Sequence, residues 1–180
     1  DVPTLTSATA ANYSVMNPLD PGATGSTISN GNLTVATAST GYRYMGNTIW
    51  PSSGKFYAEF TLTATSGYAQ LGIATDVTST DKILGFDSTS WAYESWSGQI
   101  RNNNSASAFG STWTTNDVIG ICIDKDNNKL YFSKNGTWQN SADPAAGTGS
   151  VSISGISGVP TMIAVCDNDN GGSITFQANF

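Results

Sequence analysis

Apolar and polar residues alternate along much of this chain, and nowhere do apolar residues recur at i, i+3, i+4 and i+7 over a helical length. That pattern predicts an all-β protein, because side chains on a strand point to opposite faces with a period of two. Over residues 56–62, Phe56, Ala58, Phe60 and Leu62 fall on one face and Tyr57, Glu59 and Thr61 on the other, predicting one buried and one partly wet surface. Residues 71–74 and 118–123 are apolar on both faces, as expected of central strands in two packed sheets. Gly72 and Gly120 within them predict close approach of a neighbouring chain.

Turn residues divide these runs. Asp124, Lys125, Asp126, Asn127 and Asn128 separate 118–123 from 130–133 and predict a hairpin, and Asn135 with Gly136 predicts a second one leading to Trp138. Residues 162–166 and 174–180 read as a closing hairpin around 167–172. Residues 27–38 read as a hairpin about Asn30 and Gly31. Weaker strands at 91–93 and 99–102 lie in the long, Ser- and Asn-rich stretch 76–116, where the longest loops are expected. Residues 147–158 read as a turn and a strand, and residues 1–17 as an edge strand or an arm. Residues 1–53 are assigned to the same domain as the sandwich of 54–180.

Composition narrows the function. Only 11% of the 180 residues are charged, and 13 acidic against 7 basic residues give a net charge of -6. Capture of nucleic acid by counterion release has no basis in such a chain. No apolar run is long enough to span a bilayer, so membrane insertion is not expected. The start at Asp1, without Met or a signal-like leader, suggests a processed or excised chain. Cys122 and Cys166 each lie in an apolar run and are expected to be free thiols. The chain contains no histidine, which removes the commonest general base and a principal zinc ligand.

Four segments, GKFYAEF at 54–60, LGIAT at 71–75, SWAY at 90–93 and DVIGICIDKDNNKLYFSKNG at 117–136, follow one another in an order that resembles the SPRY domain. The resemblance implies a two-layer antiparallel β-sandwich of the concanavalin A-like jelly-roll type, used as a binding module without catalysis. The low charge and the opening VPTLTSATAANYSVMNPLD resemble SPRY modules of bacteriophage structural and tail-fibre proteins. That narrower likeness implies a virion protein on the particle surface.

Other constellations carry less. Asp124, Asp126, Asn127 and Asn128 lack the Gly and Glu of a calcium-binding EF-hand loop, and Asp167, Asn168, Asp169 and Asn170 read as a turn, so no metal or cofactor is expected. Glu59 and Glu94 are the only glutamates; Glu59 falls in the SPRY-like GxxYxE pattern as a structural residue, and the carboxylate spacing of sandwich glucanases is absent. No catalytic residue is assigned. The sequons at Asn12, Asn32, Asn103 and Asn135 are expected by chance in so Asn-, Ser- and Thr-rich a chain.

Trp91, Tyr93, Trp96 and Trp113 crowd the centre of the sequence. Trp91 and Tyr93 match SPRY core positions and should be buried, and Trp138 should pack on its hairpin. Trp96, Arg101, Asn103 and Glu94 form the candidate ligand-binding set, with aromatic stacking and directional hydrogen bonds as its chemistry. The leading expectation is an adhesin of a phage particle recognising a host-surface glycan or protein. Alternatives are a capsid-decoration or assembly domain contacting other virion proteins, and an intracellular peptide-binding adaptor; a glucanase-like enzyme comes last. Assembly as a homo-oligomer stays open, since no heptads enforce one.

Overall fold

The computed structural model describes residues 14–19, 25–37, 43–76, 82–169 and 171–180. It contains fourteen strands: β1 (Thr27–Ser29), β2 (Thr34–Ala36), β3 (Tyr44–Gly46), β4 (Lys55–Thr65), β5 (Ala69–Thr75), β6 (Trp91–Glu94), β7 (Gln99–Asn102), β8 (Ser105–Ala108), β9 (Val118–Asp124), β10 (Lys129–Lys134), β11 (Thr137–Trp138), β12 (Val151–Ser152), β13 (Thr161–Asp167) and β14 (Ile174–Asn179). One short 3-10 turn, Ser154–Ile156, precedes β13. Among the described residues no helix is long and apolar enough to cross a membrane.

The strands form two antiparallel sheets. The larger runs β1-β2-β14-β4-β9-β10-β11, with β12 also on β10, and the smaller runs β3-β13-β5-β6-β7-β8. Their inner faces meet in one core holding Phe60, Leu62, Leu71, Ile73, Tyr93, Ile121, Phe132 and Phe176. Each such fully buried side chain contributes about 1.5–3 kcal/mol relative to exposure. A second, smaller cluster covers the outer face of the six-stranded sheet, where Leu84 packs with Tyr44, Ala74, Ala92, Met162, Ala164 and Cys166.

The alternation read from 56–62 produces β4, with Ala58, Phe60 and Leu62 buried. Phe56 departs from that reading: at the strand's start it is 37% exposed, because the sheets diverge there. The two predicted hairpins form as β9-β10 and β10-β11, the second closed by Asn135 and Gly136, both at positive φ. The β1-β2 hairpin forms around Asn30 and Gly31. Gly72 is required by close approach, since a Cβ there would overlap the carbonyl oxygen of Trp91 on β6. Of residues 1–17, 1–13 lie outside the described residues, and Met16 bridges Asn47.

The expected closing hairpin does not form. β13 pairs with β3 and β5, whereas β14 pairs with β2 and β4, so the connection between them passes from one sheet to the other. Asp167, at the end of β13, accepts hydrogen bonds from the Thr37 hydroxyl and the Asp169 amide, which ties the crossover down. Both cysteines are free thiols, Cys166 buried and Cys122 partly so.

Candidate functional site

Three of the four predicted ligand residues converge at the turn joining β6 and β7. Glu94, 1% exposed, accepts from Arg101 Nε and, at 2.7 Å, from the Ser97 hydroxyl. The register of β6 and β7, which pairs Ala92 with Arg101, explains how residues seven apart in sequence meet on one face. Gln70, beside Glu94 on β5, is buried with neither side-chain amide atom hydrogen-bonded. Trp96 lies just outside this network against Tyr68, with ring centroids 4.8 Å apart, and Tyr68 is exposed. Asn103 is exposed at the opposite end of β7, in the turn to β8, where its φ of 51° suits the two-residue turn.

The expected core residues are where their patterns place them. Trp91 and Tyr93 are buried, and Tyr93 contacts Phe109, Trp113 and Phe132 edge-on or tilted. Its hydroxyl donates to the Ser111 carbonyl, and burial pushes its pKa well up. Trp138 packs edge-on against Tyr57 and Tyr131. The first oxygen-rich loop is a turn in which Asp124 accepts from the backbone amide and the side chain of Asn127, and Asn170 of the second lies outside the described residues; among the described residues no three acidic or cysteine side chains cluster as metal ligands.

A second, more concave feature was not legible in the sequence. Where β4 begins, the sheets part and leave an apolar cleft of about 200 Å³, lined by Ile49, Pro51, Phe56, Ile123, Ile163 and Phe180, with Ser14, Asn47 and Tyr57 adding polar groups. The Asn47 side chain is held from both ends, donating to Ser14 Oγ at 2.7 Å and accepting from the Ile163 amide at 2.9 Å. Trp50 is fixed beside it by an indole hydrogen bond to the Asn47 carbonyl at 2.6 Å. Trp50, Phe56 and Tyr57 are 36%, 37% and 50% exposed, so aromatic surface faces solvent at this end. The available signals were Trp50-Pro51 just before the first long strand and the adjacent aromatics Phe56 and Tyr57, one on each face of it. Neither reveals the cleft, because its lining comes from five distant parts of the chain.

Comparison with known proteins now fits this geometry. Residues 55–148 match the SPRY domain. The chain is 31% identical over 90 residues to the Drosophila melanogaster Ran-binding proteins 9/10 homolog, covering 48% of this chain and 9% of that protein. It is 37% identical over 95 residues to the Arabidopsis thaliana E3 ubiquitin-protein ligase RKP, covering 49% of this chain and 7% of the ligase. It thus spans a small fraction of those relatives' length. The crystal structure of the SPRY domain of human HERC1 superposes with a TM-score of 0.74 at 17% identity, covering 91% of this chain and 96% of that one.

These findings overturn the expectation of a phage adhesin on a virion surface. The similar proteins come from an insect, a plant and a vertebrate, and they are Ran-binding and ubiquitin-ligase proteins rather than particle components. The composition that suggested a phage has a physical source in the fold itself: tight turns favour Gly, Asn, Ser and Asp, and strands favour Thr. SPRY domains are in general non-catalytic modules of protein–protein interaction. The matched segment covers more than half of the chain and the sandwich covers nearly all of it, so this protein belongs to the SPRY domain family.

Proposed function

We propose that this SPRY domain is an intracellular protein-interaction module that seats an apolar anchor residue of its partner in the cleft between the sheets. The observation that carries this reading is the aromatic lining: Phe56 and Tyr57 border a preformed apolar cavity, and Trp50 is exposed in the chain between the lining residues Ile49 and Pro51. Buried aromatic anchors in desolvated pockets dominate most protein interfaces. The Asn47 hydrogen bonds hold the cavity wall in place before binding, which lowers the ordering cost of association. The Ran-binding and ubiquitin-ligase relatives support a partner that is a protein.

The test is selection of peptides from a random library on the immobilised domain, followed by affinity measurement against variants. Selected peptides should share one apolar anchor, and Phe56→Ala should weaken them by about thirtyfold or more, the scale of an interface hot spot. Peptides that bind Phe56→Ala and Trp50→Ala as tightly as the native domain would overturn the assignment.

A second reading rests on exposed Tyr68, whose ring packs at a tilt of 44° against Trp96. There Trp96 and Arg101 contact the ligand, Glu94 holds the guanidinium in place, and Asn103 offers its amide from the far end of β7. Loss of binding in Trp96→Ala with binding retained in Phe56→Ala favours this reading over the cleft.

A further inference from the structure

The six-stranded sheet ends in β8, whose sequence Ser105, Ala106, Ser107 and Ala108 carries neither the lysines nor the prolines that ordinarily guard an open edge. Asn103 and Asn104 both have positive φ, which makes the β7-β8 connection a two-residue hairpin turn. The pair that closes such a turn, Asn102 with Ser105, exchanges main-chain hydrogen bonds, and bonded and unbonded pairs then alternate. Arg101 with Ala106 and Gln99 with Ala108 are therefore the unbonded pairs. The Gln99 amide accordingly donates to Ser97 Oγ at 3.2 Å rather than to β8.

It follows that the N–H and C=O groups of Ala106 and Ala108 point away from β7, toward solvent. Their methyl groups lie on the same face as Arg101 and Gln99 and present no obstacle to a further strand. The other sheet edges among the described residues are shorter: three residues in β1, three in β3 and two each in β11 and β12. β3 is moreover continued by the bridge from Asn47 to Met16.

We propose that β8 is a second interaction surface, on which an extended segment of another protein adds as a seventh strand through main-chain hydrogen bonds to Ala106 and Ala108. A second copy of this chain is a poor occupant. Each chain carries a charge of -6, so two copies repel one another. The same charge sets the partner's chemistry. The chain carries 13 acidic against 7 basic residues, and Arg101, on the strand next to β8, is already paired with Glu94. The added segment is basic in the residues that flank its pairing stretch.

The experiment uses the labelled protein and two synthetic decapeptides, Lys-Lys-Thr-Val-Thr-Val-Thr-Val-Lys-Lys and its analogue with Glu at each Lys. Addition of the basic peptide should shift the Ala106 and Ala108 amide resonances and slow their hydrogen exchange, and the acidic peptide should bind at least about tenfold more weakly at low salt. Ala108→Pro removes one outward N–H without breaking the β7 ladder and should weaken binding by about tenfold. Ala106→Lys places a guarding charge on the edge and should do the same, serving also if the proline variant does not fold. Phe56→Ala should leave this binding unchanged, which separates it from occupation of the cleft. Unperturbed Ala106 and Ala108 amides at millimolar peptide, or equal binding by native protein, Ala108→Pro and Ala106→Lys, would overturn the proposal; equal binding of both peptides would overturn its charge requirement.

Discussion

The Lys125 ammonium donates to the carbonyl of Ile156 at 2.8 Å and to Thr161 Oγ1 at 3.0 Å, so a buried cation ties the β9-β10 turn to the 3-10 turn and to β13 using neutral acceptors alone. The Ile156 carbonyl also accepts from the Val159 amide at 3.1 Å, so the lysine is its second donor.

Burial lowers the Lys125 pKa below its ordinary value of 10.5. Between the lowered folded value and 10.5 the unfolded chain binds more protons than the folded one, so this residue makes stability rise with pH across that window. Urea unfolding of native protein and Lys125→Met at several pH values checks the sign. The native protein should gain on the variant as pH climbs toward 10.5, and a difference independent of pH would remove the assignment.

Arg101 and Glu94 form the most enclosed ion pair described. Arg101→Ala leaves the Glu94 carboxylate buried with Ser97 as its remaining side-chain hydrogen bond, and should cost about 3–5 kcal/mol in equilibrium unfolding. Replacing both, as Glu94→Gln with Arg101→Met, should recover most of that loss, because no charge is then left unpaired. A double variant as unstable as Arg101→Ala would show that packing dominates here.

Two aspartates should respond to acid in opposite directions. For Asp117, burial works against ionisation but is outweighed by hydrogen bonds from the Thr114 amide, Asn135 and Lys134, which hold its pKa below 3.8. Its contribution is full above the unfolded pKa and is lost as pH falls through the folded one. For Asp167, burial prevails over the bonds from Thr37 and Asp169 and raises its pKa, so its contribution is full below the unfolded pKa and is lost as pH rises. Asp117→Asn should lower stability at neutral pH by about 1 kcal/mol, and Asp167→Asn should raise it slightly; both differences should shrink in acid.

At alkaline pH the buried thiol should govern. Burial pushes the Cys166 pKa up to about 12 from 9.0, and Tyr93 is raised from 10.0 for the same first reason. Both contribute stability that is complete below their unfolded pKa values and declines as pH climbs toward the folded ones. Denaturation midpoints should fall above pH 9, less steeply in Cys166→Ala than in the native protein.

The sheets themselves were written in the local pattern. Alternation at 56–62, two-sided apolar runs at 71–74 and 118–123, and Asn135-Gly136 each translate into one strand or turn through a rule that needs only near neighbours. The partner of a strand is not encoded that way. β13 and β14 have the spacing and intervening turn residues of a hairpin, yet Asp167 and Thr37 anchor a passage between layers that only long-range packing dictates. The same limit hid the cleft, whose walls join residues 49–57 to Ile123, Ile163 and Phe180, and it hid the enclosure of Glu94, which follows from the register of β6 on β7.

β14 lies between β2 and β4 in the eight-stranded sheet. On a ribosome, residues 34–36 and 55–65 lack the strand that joins them until residues 174–179 have been made. The gap leaves two unfilled strand edges over that interval, the condition in which nascent chains aggregate or recruit chaperones. Slow synthesis would lengthen that vulnerable interval, so the yield of folded protein should depend on elongation speed between the codons for residues 65 and 174.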